Sequence, residues 1–111
     1  MNRDPGLQTE ILQELRDTGP NAKIPSLNGY SNQAFWQNAR LLHQAGLIDI
    51  MDMGTIDNPL PCCATGLTAY GQDVLDRAKD EWRDKSRAGG GSVVQITYES
   101  VLRAILDNLI P

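Results

Sequence analysis

The stretch SNQAFWQNARLLHQAGLIDIM, residues 31–51, decides the fold, because it encodes a helix that runs directly into a strand. Ser31 is a residue type that caps helices, and no glycine or proline follows it until Gly46, which suits the left-handed position after a helix. Residues 47–51 then alternate apolar and polar side chains, which predicts a strand with one buried side. We therefore expect a helix over residues 32–45 and a strand immediately after it.

The flanking segments predict two further helices and a second strand. An apolar stripe at helical spacing predicts a helix over residues 5–17, and the Gly-Pro pair after it ends that helix. The loop that follows holds one short strand around Ile24. Residues 62–67 follow a turn-rich interval and predict a strand that pairs with the first, and Thr68 caps a third helix over residues 69–87. The stripe expected to be buried on this third helix comprises Val74, Leu75, Ala78 and Trp82.

The predicted order of elements is that of a winged-helix domain. The helix over residues 32–45 takes the position of the recognition helix, and the loop over residues 52–61 takes that of the wing. We expect an α+β fold with a winged-helix-like domain over residues 1–88. A Gly-rich hinge over residues 89–92 and an appended C-terminal helix within residues 93–111 complete the chain.

Composition excludes several classes of protein. The 111 residues suffice for one domain, and the contents of 41% hydrophobic and 22% charged residues are those of a globular chain. The net charge is −4, opposite in sign to the basic excess typical of nucleic-acid-binding domains. No apolar run approaches the roughly 18 residues of a membrane span, and the chain starts without the apolar run of a secretory signal. We expect a cytoplasmic protein with no membrane contact.

The sequence predicts neither catalysis nor a cofactor. His43 is the single histidine, and no nucleophile motif stands beside it. Cys62 and Cys63 are adjacent, and because neighbouring cysteines rarely bridge, two free thiols are expected. A zinc site of four ligands would need carboxylates or a second subunit. The glycines at 89–91 lack the lysine of a phosphate-binding loop. We therefore expect a protein that is not an enzyme and that holds no metal and no cofactor.

Several strings occur together in a fixed order: MNRD (1–4), GYS (29–31), LLHQAGLI (41–48), LTAYG (67–71) and LD (75–76) followed by Trp82. This order resembles a family of small uncharacterised bacterial and prophage proteins of winged-helix-like type, designated only as a domain of unknown function. The likeness covers nearly the whole chain, including the Gly-rich joint and the terminal helix. Gln37 and Asn38 depart from the aromatic and histidine residues typical of that family. The resemblance implies the fold and a phage or prophage setting, but no activity.

Two surfaces of the predicted domain are candidates for binding. The outer face of the helix in the recognition position carries side chains that can pair with base edges in the major groove, namely Gln33, Gln37, Arg40 and Gln44. The hairpin carries three acids that would repel phosphates, namely Asp49, Asp52 and Asp57. Residues 47–66 contain no lysine or arginine. A solvated polar surface is the alternative in both cases.

The C-terminal helix is apolar on more than one face. Its candidate dimerisation residues are Val101, Leu102, Ile105, Leu106 and Leu109. Self-association through them is the simplest expectation, because a small domain gains stability by burying surplus apolar surface. Packing across Ile11 and Trp82 of the same chain is the alternative, and a flexible hinge also permits exchange of the helix between two chains.

These observations predict a small acidic interaction module, encoded by a phage or prophage, that binds a protein partner. The acidic wing suits a basic groove that normally holds nucleic acid. We therefore expect an inhibitor of a host nucleic-acid-handling or defence system. The alternative is a transcriptional regulator that reads DNA through the outer face of the helix in the recognition position.

Overall fold

The computed structural model describes residues 3–88 and 96–110, which form four helices and one β-hairpin. The elements are α1 (Pro5–Thr18), α2 (Asn32–Gln44), β1 (Ile48–Asp52), β2 (Cys62–Leu67), α3 (Ala69–Ala88) and α4 (Tyr98–Leu109). The predicted α+β class is confirmed. The helices predicted over residues 5–17, 32–45 and 69–87 and the strands predicted over residues 47–51 and 62–67 are present to within a residue at either end. The predicted hinge over residues 89–92 lies outside the described residues. None of the helices in the described ranges has the length and apolarity that a membrane crossing needs.

The junction between α2 and β1 forms as its sequence predicts. The Ser31 hydroxyl accepts a hydrogen bond from the Ala34 amide at 3.1 Å and caps the start of α2. At the other end Gly46 adopts a φ of 80°, and its amide donates to the His43 carbonyl at 2.9 Å. Glycine takes this left-handed conformation without a steric penalty, so the chain can leave the helix and enter the strand within a few residues.

The two strands pair in antiparallel fashion. Ile48 lies opposite Leu67 at the base of the hairpin, and Asp52 lies opposite Cys62 at the end next to the loop. The short strand predicted around Ile24 is present as a single bridge, in which Ile24 and Ala64 exchange two backbone hydrogen bonds of 3.0 and 2.9 Å. β2 therefore has backbone partners on both of its edges.

A single hydrophobic core unites α1, α2, α3, α4 and the inner side of the hairpin. Its fully buried large side chains include Leu7, Ile11, Phe35, Leu42, Ile48, Leu75, Leu102 and Leu106. Each such side chain stabilises the fold by about 1.5–3 kcal/mol relative to an exposed one. The N-terminal helix α1 and the C-terminal helix α4 therefore both contribute side chains to the core.

The C-terminal helix differs from the expected appendage. Four of its candidate dimerisation residues, Val101, Leu102, Ile105 and Leu106, are buried in the core of their own chain. Leu109 is partly buried and packs against the same core. α4 contacts α3 and α1, because its apolar face fills the space that these two helices leave open. The surface predicted for self-association is thus the inner face of α4, and packing within one chain, the alternative considered above, is what the structure contains.

Trp82 is also placed differently from the sequence prediction. It was expected in the buried stripe of α3, but its side chain is 36% exposed. By this point α3 has extended past the core, and Trp82 instead meets the segment that leads into α4. Its indole Nε1 donates to the Ile96 carbonyl at 2.7 Å, and its ring meets the Tyr98 ring edge-on at a centroid distance of 6.4 Å.

We predict that Gly71→Ala destabilises the protein, because α3 begins in direct contact with the α2–β1 junction. A Cβ at Gly71 would collide with the carbonyl oxygen of Leu47, a backbone atom that cannot rotate away. We expect the free energy of unfolding, measured by urea titration, to fall by about 1–3 kcal/mol. Gly66→Ala is the matched control, since a Cβ there meets open space. Equal stability of the two variants would contradict this role for Gly71.

Candidate functional site

One arginine from α2 braces the loop of the hairpin, residues 53–61. The guanidinium of Arg40 donates to the carbonyls of three consecutive loop residues, Pro59, Leu60 and Pro61, at 2.9, 2.9 and 3.2 Å. Arginine suits this task because its donors form a rigid planar fork. Arg40 was predicted to face outward with the glutamines of α2. The structure corrects this prediction, since the donors of Arg40 are directed to the hairpin loop.

Asp52 completes the brace at the end of β1. Its Oδ1 accepts from the Gly54 amide at 2.8 Å and from Arg40 at 3.2 Å. The Gly54 amide, and after it Arg40, hold the pKa of the Asp52 carboxyl below its ordinary value. Asp52 was predicted to contact a partner. Its contacts within the chain give it a part in shaping the loop, while 71% of its side-chain surface remains exposed.

The tip of the loop presents an apolar side chain. Thr55 and Asn58 close a turn: the Thr55 amide donates to the Asn58 carbonyl at 2.8 Å, and the Asn58 amide donates to the Thr55 hydroxyl at 3.1 Å. Between them Ile56 is 101% exposed, and Asp57 beside it is also exposed. The described residues include five exposed large hydrophobic side chains, and three of them, Met51, Met53 and Ile56, belong to the hairpin and its loop.

The three hairpin aspartates do not form one patch. Asp49 lies near the base of the hairpin, opposite Gly66, whereas Asp57 lies in the loop at the other end. Asp49 borders a separate, mainly polar depression of about 610 Å³ together with Arg16 and Gln72. Of the three predicted partner-binding acids, Asp57 alone is both exposed and next to the apolar tip.

The glutamines predicted to read DNA lie on α2, whose one arginine, Arg40, directs its donors to the hairpin loop. Gln33 and Gln44 are exposed, and Gln37 is half-buried. The neighbouring Asn38, which the sequence marked only as a departure from the family pattern, is buried and joins α1 to α2. Its Oδ1 accepts from the Asp4 amide at 2.8 Å and from the side-chain amide of Gln8 at 3.2 Å. A polar residue at a buried helical position was the available signal for this contact.

The contacts of His43 and the burial of the two cysteines indicate structural roles for these residues. The Nδ1 atom of His43 lies 3.0 Å from the Ile48 carbonyl oxygen, across the α2–β1 junction. Cys62 and Cys63 are free, as predicted, and both are buried. Burial raises the pKa of the Cys62 thiol. Within residues 3–88 and 96–110, no three His, Cys, Asp or Glu side chains come together in a way that could hold a metal ion.

The described residues thus define an α+β domain whose most exposed feature is a braced hairpin loop. The chain belongs to the family of hypothetical proteins DUF2513, whose characteristic sequence pattern matches residues 2–88. The match ends where α3 ends, so that α4 lies beyond it, and the function of this family is not assigned. No curated protein and no solved structure matches the chain.

We predict that Arg40→Met loosens the hairpin loop and leaves the core folded. The substitution keeps the aliphatic stem but removes every hydrogen bond that Arg40 donates to the loop. This loss should lower the stability of the closed loop by about 1–3 kcal/mol. Hydrogen exchange should accelerate at the Met53 amide, which donates to the Pro61 carbonyl at 2.9 Å. Arg83→Met, at an exposed position of α3, is the control and should leave this exchange unchanged. Equal exchange in both variants would remove Arg40 as the brace.

We also predict a loss of loop order in acid. The pKa of Asp52 is lower in the folded protein than its ordinary value of 3.8, so the unfolded chain takes up the proton first. The stabilising effect of the carboxylate is therefore complete above pH 3.8 and disappears as the pH falls through the folded value. The amide signal of Gly54, followed by NMR from about pH 6 to about pH 2, should report this step. This pH-dependent step should be absent in Asp52→Asn. A titration midpoint at or above pH 3.8 in the native protein would contradict the prediction.

Proposed function

We propose that this protein is a winged-helix-like, non-enzymatic module that binds a protein partner through its hairpin loop. The observation that carries the proposal is the complete exposure of Ile56 on a turn that is held from inside by Thr55, Asn58 and Arg40. A large apolar side chain on a rigid support loses little conformational entropy on binding. Its burial in a pocket of the partner contributes about 1.5–3 kcal/mol.

The charges around this apolar tip favour a basic partner. From residue 41 to residue 76 the sequence contains five aspartates and no lysine or arginine. Asp57 is adjacent to Ile56 and exposed. Arg40, the one arginine of α2, is hydrogen-bonded to the loop carbonyls. Complementary charge raises the rate of association and excludes unsuitable partners. The partner proposed here has an apolar pocket surrounded by lysine and arginine side chains.

Surfaces rich in lysine and arginine, such as the one proposed for the partner, are typical of proteins that handle nucleic acid. The module would therefore compete with nucleic acid for the partner's basic groove, and inhibition of a nucleic-acid-handling or defence system is the role we propose. A phage or prophage gene, the setting that the family resemblance implies, fits this role. The order of helix, bridge, helix, hairpin and helix supports the winged-helix-like description.

DNA binding is the alternative, and the same observations weigh against it. Contacts with phosphates supply most of the affinity of a DNA-binding domain. Arg40 is the only lysine or arginine within α2 and the hairpin, and its donors are directed to loop carbonyls. The exposed glutamines of α2 could contact bases, but no free cation on that helix would hold the backbone of the duplex.

The proposal predicts that binding depends on the loop tip. The tagged protein is used to capture proteins from a nuclease-treated lysate of the organism that carries the gene, and captured proteins are compared between variants. Ile56→Ser should weaken capture at least about tenfold. Asp57→Lys should weaken it and reduce its sensitivity to salt. Asp49→Lys makes the same charge change at the far end of the hairpin, so capture should persist. A captured protein that binds all three variants equally would contradict the proposal.

A random-sequence DNA duplex at low salt tests the alternative directly. Low salt gives phosphate contacts their greatest strength, so size-exclusion chromatography with light scattering would detect even weak binding. We expect no complex. A complex that is lost when Gln33, Gln37 and Gln44 are replaced by alanine would favour the transcriptional regulator instead.

A further inference from the structure

Three sulfur-containing side chains share the outer face of the hairpin. Met51 lies directly opposite Cys63 in the antiparallel register, and residues directly opposite each other place their side chains on the same face. Met53 follows two residues after Met51. Its amide bonds to the Pro61 carbonyl, which continues the backbone pairing by one step and keeps Met53 on that face.

The side-chain contacts agree with this register. The Cys63 Sγ atom lies 2.9 Å from the Met53 Sδ atom. Cys63 is only 4% exposed, whereas Met53 is 53% and Met51 is 38% exposed. The buried thiol is therefore in contact with Met53, and the exposed Met51 lies opposite it in the strand register. Cys62 faces the other side of β2, where its Sγ atom lies 3.9 Å from the Trp36 carbonyl oxygen.

We propose that Cys63, Met53 and Met51 bind one copper(I) ion. A thiolate with thioethers is a soft ligand set and selects Cu(I), whereas zinc and hard cations require further thiolates, imidazoles or carboxylates. The described residues offer no group of three such ligands at this place. Each methionine has three rotatable side-chain bonds, so both thioethers can turn onto an ion held by Cys63.

The exchange of charge at this site is balanced. One Cu⁺ ion enters and the proton of the Cys63 thiol leaves to solvent, so the net charge of the cluster does not change and no electron is transferred. The surrounding sequence favours a cation, since residues 41–76 contain no lysine or arginine. The bound ion would connect β1, the start of the loop and β2. This binding requires no partner protein, so it stands apart from the function proposed above.

Anaerobic titration with Cu(I), in competition with the chromogenic chelator bathocuproine disulfonate, tests the site. The native protein should bind one equivalent. Met53→Leu keeps the apolar volume at an exposed position and so preserves the fold, and it should weaken binding at least about tenfold, as should Cys63→Ser. Cys62→Ser is the matched control and should bind Cu(I) as the native protein does. Circular dichroism of each variant confirms folding.

Three outcomes would overturn the proposal. The first is a native protein that cannot withdraw Cu(I) from the chelator. The second is unchanged affinity in Cys63→Ser or Met53→Leu. The third is an equal loss in Cys62→Ser and Cys63→Ser, which would mean that the adjacent thiols bind the metal without the methionines. A parallel titration with Zn(II) should show weaker binding, and tighter binding of Zn(II) would equally contradict a soft thioether site.

Discussion

The hydrogen bonds that Arg40 donates to the loop carbonyls are the interaction on which the exposed hairpin loop depends. Backbone carbonyls in a loop rich in proline have few amide partners, because proline carries no N–H group. A guanidinium can satisfy several carbonyls at once, and it does so from α2, an element anchored in the core by Phe35 and Leu42. The position of Ile56 is therefore fixed relative to the core rather than by the loop alone.

The same hairpin carries both proposed binding surfaces, at different places. The tip, with Ile56 and Asp57, is suited to a partner with an apolar pocket and positive charge. The outer face, with Cys63 in contact with Met53 and opposite Met51, is suited to a soft cation. Met53 is the first residue of the loop that Arg40 and Asp52 brace, so the outer face and the tip adjoin along the chain.

Sequence reasoning predicted much of the fold and less of the site. The caps at Ser31 and Thr68 and the left-handed Gly46 are local signals, and they fixed the ends of helices to within a residue. The direction of Arg40 could not be predicted, because its acceptors are carbonyls some twenty residues away that become neighbours only after folding. The apolar tip was not predicted, because a single isoleucine in a loop forms no periodic pattern from which its exposure can be inferred.

The amino-acid sequence by itself determined the helices, the hairpin, the acidic character and the two free thiols, because capping, periodicity and composition act over a few residues. Only the tertiary structure decided that α4 joins the core of its own chain, that Trp82 meets Ile96 and Tyr98 at the surface, and that Asp49 and Asp57 lie apart. The physical reason is that burial and pairing depend on which surfaces meet. An apolar stripe carries the same signal whether it covers its own chain or another one.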